Sequence, residues 1–358
     1  MVDMKKTICI LIFLSGFLIR PAFSQIEPID TLHAIADTQN VKISLFDSDE
    51  LFDISLKFDL TNYKRKRSDQ EYLDAILTYY TSKTDSITKT IKVKARGEFR
   101  RTMCDIPPLL LNFKMKDSVG GEFTGIDKLK LIPTCKAGFE DYILREYLIY
   151  KLYNVLTDIS FRVRLLRINY INTSKNSKPL VQYGFVLEPI KLLEKRTNSI
   201  EQKTAKVTQK NIKPEIMDRF AIFNYMIGNT DWSVPILHNA LVLAQGFSDR
   251  PDLGIIVPFD FDYAGLVNAN YAVPFESLPI TSVRERYYLG ICRSEEVFLN
   301  ALKEFTDTKE EFYRIINEFP YINEKSKKDM IRYLDGFYVK FDKQNSIIGD
   351  LRRTCIKF

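Results

Sequence analysis

The sequence predicts an α+β protein with two lobes, β-rich in its N-terminal part and mostly helical in its C-terminal part. Stretches in which apolar and polar residues alternate, as in half-buried strands, fall mainly in the first half of the chain. Stretches with apolar residues at helical spacing dominate its end. Of the 358 residues, 45% are hydrophobic and 13% are aromatic, which is enough for one large core or two coupled lobes.

Four strands are predicted in the first part of the chain. From Phe52 to Leu60, apolar and polar residues alternate without a break, which is the period of a half-buried strand. The other three strands are Ile87 to Ala95, Leu109 to Met115 and Lys128 to Ile132, with a turn at Asp117 to Gly121.

One long helix is predicted in the middle of the chain, followed by a strand pair. Asp141 to Leu156 carries a wide apolar stripe that suits packing on a sheet. Val163 to Ile171 and Gln182 to Glu188 then return to strand patterns, and we expect them to pair in antiparallel fashion.

The later part of the chain is predicted to be mostly helical. Pro214 suits the first turn of a helix that runs through Met226, and Gly228 is a natural stop. Glu295 to Phe341 is also helical by pattern. The predicted parts of the whole chain are a signal peptide (1–24), a polar N-terminal segment (25–50), a β-rich lobe with one long helix (51–190), a polar connection (191–213) and a mostly helical lobe (214–358).

The first 24 residues predict export. Lys5 and Lys6 precede the apolar run Thr7 to Ile19, and Ala22-Phe23-Ser24 supplies small residues for cleavage before Gln25. An uncleaved membrane anchor is the alternative, but the run is shorter than the roughly 20 residues that span a bilayer. We therefore expect a periplasmic or extracellular protein with no transmembrane segment in the mature chain.

Charge and histidine content exclude several classes of function. The net charge of +6 is mild, and the basic run Lys64 to Arg67 lacks the spaced aromatic residues that stack on bases. We interpret that run as a solvated turn and expect no nucleic-acid partner. With His33 and His238 as the two histidines, zinc enzymes with two or three histidine ligands are excluded. We interpret His238 as a buried, hydrogen-bonded imidazole and the single tryptophan, Trp232, as a core residue.

The cysteines fit an exported protein. Cys9 lies in the predicted signal peptide, which leaves an even number without metal-binding spacing: Cys104, Cys135, Cys292 and Cys355. Two disulfides with three possible connectivities, or buried free thiols, are compatible with this count. Because Cys104 and Cys135 fall in one predicted lobe, we prefer their pairing.

Carboxylate and amide side chains are concentrated after the helix that ends near Met226. Asp231 and Asn239 lie in one segment, and Asp260 and Asp262 follow a second apolar run. Oxygen ligands of this kind suit a divalent cation. Taken alone, Asn229 and Asp231 are better explained as residues that close the preceding helix.

The surroundings of Asp260 and Asp262 favour a metal. If Phe259 and Phe261 point into the core, alternation on a strand places both carboxylates on the opposite face. Two negative charges there repel each other unless a cation or a base lies between them. A metal ion such as Mg²⁺ or Mn²⁺, with phosphate groups completing its coordination, would supply that charge. This is the physical reason to predict nucleotide chemistry.

A series of short motifs occurs in one order between Ile91 and Asp262. The motifs are Lys94-Ala95-Arg96-Gly97, Asn112-Phe113-Lys114, Leu129 to Pro133, Leu144-Arg145-Glu146, Ile168-Asn169-Tyr170, Tyr183 to Glu188, Asn229 to Trp232, His238-Asn239 and Pro258 to Asp262. In this order they resemble the CotH kinase-like family of exported and spore-coat proteins. The resemblance implies a two-lobed atypical protein-kinase-like fold with ATP as phosphate donor.

The resemblance also implies catalytic and metal-binding roles. Asp231 takes the place of the catalytic aspartate that orients the acceptor hydroxyl. Asn239 takes the place of the metal-binding amide, and Asp260 that of the aspartate that binds the metal of the nucleotide. Asp262 would share this last role.

Three further residues are implied to contact the nucleotide. Arg96 or Lys114 would neutralise phosphate charge, and Glu188, where the chain passes to the second lobe, would face the nucleotide. Glu146 is the candidate to pair with a phosphate-binding lysine, and a surface position is the alternative for it.

The expected function is an exported kinase that transfers phosphate from a magnesium or manganese nucleotide to Ser or Thr of an exported or cell-envelope protein. Two alternatives remain open. One is a catalytically inactive scaffold or binding protein of the cell envelope, since the chain lacks the HRD triplet and the GxGxxG loop of ordinary kinases. The other is a glycan hydrolase that uses two of Glu188, Asp231, Asp260 and Asp262 as acid and base.

Overall fold

Seven strands close into a barrel in the N-terminal part of the chain. The structure, a computed structural model, describes residues 45–82, 84–113, 121–203, 206–245, 253–342 and 346–357. The predicted signal peptide, most of the polar N-terminal segment, Lys114 and most of the predicted turn before Gly121 lie outside the described residues.

The barrel strands follow the predicted alternation. They are β1 (Phe52–Phe58), β2 (Leu73–Tyr80), β3 (Ser86–Ala95), β4 (Leu109–Phe113), β5 (Lys128–Pro133), β6 (Val163–Asn172) and β7 (Leu180–Leu187). Around the barrel their order is β1-β2-β3-β4-β5-β7-β6, and all neighbours are antiparallel except β1 and β6. The predicted antiparallel pair β6–β7 is confirmed.

One strand and two short helices of this region were not predicted, and the second of these helices is Phe99–Met103. In β2, Ala75, Leu77 and Tyr79 alternate with exposed or partly exposed residues, so the strand pattern was present in the sequence. The basic run Lys64 to Arg67, interpreted as a turn, is the end of the short helix α1 (Leu60–Lys66). Asp59 caps this helix by accepting a hydrogen bond from the backbone N–H of Asn62 at 2.9 Å.

Outside the barrel strands, the described residues are mainly helical. After α1, the helices are α2 (Phe99–Met103) and α3 (Glu140–Leu156), which lie between barrel strands, and then α4 (Ile190–Thr197), α5 (Pro214–Ile227), α6 (Glu295–Asp307), α7 (Lys309–Glu318), α8 (Glu324–Asp342) and α9 (Ser346–Thr354). The predicted α+β class, with a strand-rich N-terminal region and a helical C-terminal region, is confirmed. Across the residues that the structure describes, we find no helix with the length and apolar character needed to cross a membrane.

A small antiparallel sheet interrupts the helices and carries the acidic segments. It consists of β8 (Ile200–Glu201), β9 (Ala240–Ala244) and β10 (Ile255–Pro258), in the order β10-β9-β8. The predicted polar connection, 191–213, contains most of α4, all of β8 and a 3-10 turn at Gln209–Asn211.

Two hydrophobic cores share the wall formed by β5 and β7. Leu131 and Val186 face the core inside the barrel. Their neighbours Ile132, Phe185 and Leu187 face the second core, which includes α3, α5, β10 and the C-terminal helices. Because successive strand residues point to opposite faces, the same two strands hold the barrel and the helices together.

Two disulfides close the four cysteines in pairs. Cys104 bonds to Cys135 and Cys292 bonds to Cys355, with Cα–Cα distances of 4.5 and 4.9 Å. The preferred pairing of Cys104 with Cys135 is confirmed, and the alternative of free thiols is wrong.

Candidate active site

A cleft of about 540 Å³ lies between the β3–β5 side of the barrel and the segments that flank β9 and β10. Ligand pockets commonly have volumes of roughly 300–1,000 Å³, so it is large enough for a nucleotide. Five of the predicted site residues line this cleft: Arg96, Asp231, Asn239, Asp260 and Asp262.

The end of α5 positions Asp231. Gly228 stops the helix in the left-handed conformation, with φ of 67°, and a Cβ there would lie 2.0 Å from Oη of Tyr333. The backbone N–H of Asp231 donates to Oδ1 of Asn229 at 3.1 Å, and Nδ2 of Asn229 donates to Oδ1 of Asn224 at 2.9 Å. Asn229 thus closes the helix, whereas Asp231 lies beyond it in the cleft.

Two neighbours hold the carboxylate of Asp231. Nε2 of His238 lies 2.8 Å from Oδ1, and Nδ2 of Asn239 donates to Oδ2 at 2.9 Å and to the backbone oxygen of Asp231 at 2.8 Å. Burial raises the pKa of Asp231, and the hydrogen bonds with His238 and Asn239 oppose that effect. The interpretation of His238 as a buried imidazole is wrong, because its side chain is 44% exposed in the cleft. The core position of Trp232 is confirmed.

Asp260 and Asp262 both reach the cleft as predicted, but not through strand alternation. The strand β10 ends at Pro258, and Asp260 adopts φ of 61°, so the extended geometry on which alternation depends is lost. The backbone N–H of Asp260 donates to Oη of Tyr150 at 2.8 Å, while its carboxylate stays 50% exposed in the cleft. Phe261 is fully buried, and Asp262 is buried on the inner side of the cleft.

The positive charge between these carboxylates belongs to Arg100. Its Nε donates to Oδ2 of Asp262 at 2.9 Å, and its Nη2 donates to Oε2 of Glu146 at 2.5 Å. The same Nη2 lies 3.8 Å from Oδ1 of Asp260. Glu146, for which a surface position was the alternative, is buried. Its partner is an arginine of α2 rather than a lysine.

Crowding of acids in this cluster changes their ionisation. Enclosure by protein and the nearby charge of Asp262 raise the pKa of Asp260 to about 6, against the opposing effect of Arg100. Burial also raises the pKa of Glu146, which Arg100 opposes. A further cation next to Asp260 would lower the free-energy cost of keeping Asp260 and Glu146 ionised.

Two basic residues face the cleft from the barrel. Lys130 on β5 and Arg96 after β3 both line it, and no ion pair links either of them to an acidic side chain among the described residues. Burial and the charge of Arg96 lower the pKa of Lys130 to about 8. The ammonium of Lys130 lies 6.0 Å from the ring centroid of Phe259. This pair is available to bind an anion.

Glu188 is not among the described residues that line the cleft. Its carboxylate is buried and accepts hydrogen bonds from Arg196, at 3.2 Å to Oε1 and 2.7 Å to Oε2. It also accepts the backbone N–H of Arg162 at 3.1 Å. These contacts join the end of β7 to α4. Lys114, the other predicted phosphate-binding residue besides Arg96, is outside the described residues.

The residues present fit a metal that is shared with phosphate. Within the described ranges, no three or more His, Cys, Asp or Glu side chains form a metal-binding group. The carboxylate of Asp260 is half exposed, and Asn239 uses its amide nitrogen on Asp231, which leaves its carbonyl oxygen for another partner. Mg²⁺ is usually bound by one or two protein oxygens together with waters and substrate phosphates. Asp260 and Asn239 match that donor set.

Sequence reasoning missed Arg100 and Lys130 as site residues and left Glu146 unresolved. Each is a charged residue next to an apolar or glycine-containing motif: Arg100 follows Gly97, Lys130 lies within β5, and Glu146 lies within the apolar stripe of α3. A charge inside an apolar pattern was the available signal, because a buried charge needs a partner.

Comparison with solved structures gives a similarity at low sequence identity. No protein-family description matches the chain, and no curated protein matches it. Among solved structures, the chain is similar to the proinflammatory kinase CtkA of Helicobacter pylori, with 13% sequence identity over 77% of this chain and 91% of that chain. The TM-score is 0.38. A TM-score below 0.5 does not establish a shared fold.

Proposed function

We propose that the protein is an exported kinase of the CotH-like type. In this proposal the cleft binds ATP with Mg²⁺ or Mn²⁺ and transfers the terminal phosphate to Ser or Thr of an exported or cell-envelope protein. The observation that carries the proposal is the meeting of Asp231, Asn239 and Asp260 in one cleft that also contains the basic pair Arg96 and Lys130.

The cleft offers separate surfaces for the parts of a nucleotide. Arg96 and Lys130 supply positive charge for phosphate groups. The apolar side chains of Ile132, Leu187 and Phe259 line the same cleft and suit the flat face of a nucleobase. Bound metal would supply charge neutralisation on the phosphates, through Asp260 and Asn239.

Asp231 is the residue placed to receive the acceptor. Its carboxylate is fixed by His238 and Asn239 and faces the cleft. In the proposed step, the hydroxyl oxygen of the acceptor bonds to the terminal phosphorus, the bond from that phosphorus to the nucleoside diphosphate breaks, and the hydroxyl proton passes to Asp231. Positioning and charge neutralisation supply most of the catalysis in such a reaction.

The disulfides support the proposed compartment. Disulfides persist in the periplasm and outside the cell, and they are rare in the cytosol. Two disulfides, together with the predicted signal peptide, therefore favour export.

The hydrolase alternative has fewer free carboxylates than the sequence offered. Glu188 is bound by Arg196, and Asp262 is bound by Arg100, which leaves Asp231 and Asp260 as the pair that could act on a glycan. The inactive alternative predicts a folded cleft without phosphate transfer.

Binding of a fluorescent ATP analogue tests the proposal. Wild-type protein is expected to bind the analogue only with Mg²⁺ or Mn²⁺. Asp260→Ala is expected to weaken binding by at least about tenfold, because the main metal ligand is lost. Asp74→Ala, at a highly exposed carboxylate on β2, is the matched control and is expected to bind as wild type. Soluble, folded wild type without metal-dependent binding would refute the kinase proposal.

Transfer of labelled phosphate separates the alternatives. The expected result is transfer to Ser or Thr that falls by about 10²–10⁴-fold in Asp231→Asn, since the group that receives the proton is removed. Nucleotide binding without transfer to any of a panel of exported proteins would favour the inactive scaffold. Hydrolysis of a glycan panel would favour the hydrolase.

A further inference from the structure

We propose that Arg100 takes the place of a second divalent cation, so that the cleft binds one metal ion, at Asp260 and Asn239. This inference rests on the proposed function. Kinases of the general type hold two magnesium ions between the metal-binding aspartate and the catalytic-loop asparagine. Here the carboxylates that could hold a second ion already surround a guanidinium group.

The contacts of Arg100 occupy the inner half of the acidic cluster. Nε binds Asp262 at 2.9 Å and Nη2 binds Glu146 at 2.5 Å, and both of these acids are buried. Oη of Tyr271 donates to the same Oδ2 of Asp262 at 3.2 Å. Oδ2 of Asp262 thus already accepts two hydrogen bonds, and the guanidinium already balances the charge that a second ion would balance.

The outer half of the cluster remains open. Nη2 of Arg100 is 3.8 Å from Oδ1 of Asp260, which is beyond hydrogen-bond distance, and half of the Asp260 side chain is exposed. Asp260 therefore keeps both of its oxygens for an ion, whereas one oxygen of Asp262 already accepts from Arg100 and Tyr271.

Arg100 is held in place by its own segment. The helix α2 has five residues. Nη1 of Arg67 donates to the backbone oxygen of Arg101 at 2.8 Å and to that of Cys104 at 2.6 Å, at the end of this helix. The disulfide from Cys104 to Cys135 ties the next residues to the end of β5. A guanidinium stays charged throughout the usable pH range, so the cluster always contains this cation.

Counting bound Mn²⁺ tests the inference. Electron paramagnetic resonance of the full, disulfide-bonded chain with Mn²⁺ and a non-hydrolysable ATP analogue is expected to give one bound ion per protein. Arg100→Gln is expected to give two, because Asp262 and Glu146 lose their resident cation. Adding Asp262→Asn to this variant is expected to return the count to one. Arg101→Gln, at the neighbouring position of α2, is the matched control and is expected to stay at one.

The outcomes separate this inference from the proposed function. Two ions in the wild type, or one ion in a folded Arg100→Gln variant, would overturn the inference and leave the kinase proposal standing. No bound Mn²⁺ in the wild type would overturn both. If Arg100→Gln does not fold, the test uses the Mn²⁺ counts of the wild type and of Arg100→Lys. Both are expected to be one, and a count of two in either would overturn the inference.

Discussion

At the scale of single residues, the backbone conformation and the charge of Asp260 both disfavour folding, and a functional role would explain why they are kept. Its backbone has φ of 61°, a conformation that residues other than glycine seldom adopt, and its carboxylate is crowded by Asp262. Residues held in such conformations commonly lie at functional sites. Asn239 and Leu237, in the adjacent segment before β9, also have positive φ, of 50° and 53°.

We predict that Asp260→Asn stabilises the protein at neutral pH. The pKa of Asp260 is raised to about 6, above its ordinary value, so ionisation of this group disfavours the folded state as the pH rises through 6. Without metal, the variant is expected to melt up to about 2 °C higher than wild type at pH 8, and at the same temperature at pH 4.

Differential scanning calorimetry in the presence of a chelator measures this difference. Asp74→Asn, on the exposed face of β2, is the control, and its melting temperature is expected to equal that of wild type at both pH 4 and pH 8. An Asp260→Asn variant that melts below wild type at pH 8 would contradict the assigned crowding of charge.

At the scale of elements, α2 is a short helix that depends on its surroundings. Helices of five residues do not form on their own in water. This one is fixed by Arg67 at its end and by the disulfide from Cys104. Since α2 delivers Arg100 into the acidic cluster, the disulfide links the redox state of the protein to the arrangement of the cleft.

We predict that the two disulfides differ in their effect on the cleft. Replacing Cys104 and Cys135 by Ser is expected to cost about 4 kcal/mol of unfolding free energy, as is replacing Cys292 and Cys355, because each bond closes a long loop. Only loss of the first bond is expected to weaken binding of the Mn²⁺–nucleotide complex, since only that bond fixes α2.

Chemical denaturation and nucleotide titration of both double variants measure these effects. The Cys292 and Cys355 variant is the matched control, with its bond between the segment before α6 and the end of the chain after α9. Equal losses of nucleotide binding in the two variants would show that stability alone, and not the position of α2, is responsible.

At the scale of the whole molecule, the cleft lies at the seam of two cores. The β5 and β7 strands contribute alternate residues to the barrel core and to the helical core, so neither core is complete without them. Arg96 and Lys130 come from the barrel side, and Asp231, Asn239 and Asp260 come from the other side. The geometry of the site therefore depends on how firmly the shared wall joins the two cores.

We predict that the two cores unfold together. Leu131→Ala, on the barrel side of the wall, and Leu187→Ala, on the helical side, are each expected to cost about 2–5 kcal/mol through cavity formation. Both variants are expected to show a single calorimetric transition at a lower temperature. Leu180→Ala, at the exposed start of β7, is the control and is expected to cost less than about 1 kcal/mol. Separate transitions in either core variant would contradict this coupling.

The sequence by itself determined the elements and the order of the motifs. Alternation identified β1 and the pair β6–β7, and the stop at Gly228 ended α5 where predicted, because these patterns arise from neighbouring residues along the chain. The sequence also placed Asp231, Asn239 and Asp260 on segments that the fold brings to one cleft.

Only the tertiary structure decided which charges pair. Arg100 meets Asp262 across 162 positions of the sequence, and Glu188 is taken by Arg196 instead of facing the cleft. Such pairs depend on how the barrel, α2 and α3 pack, which no local pattern encodes. The sequence therefore predicted an acidic cluster that needs a cation. It did not predict that Arg100 is that cation.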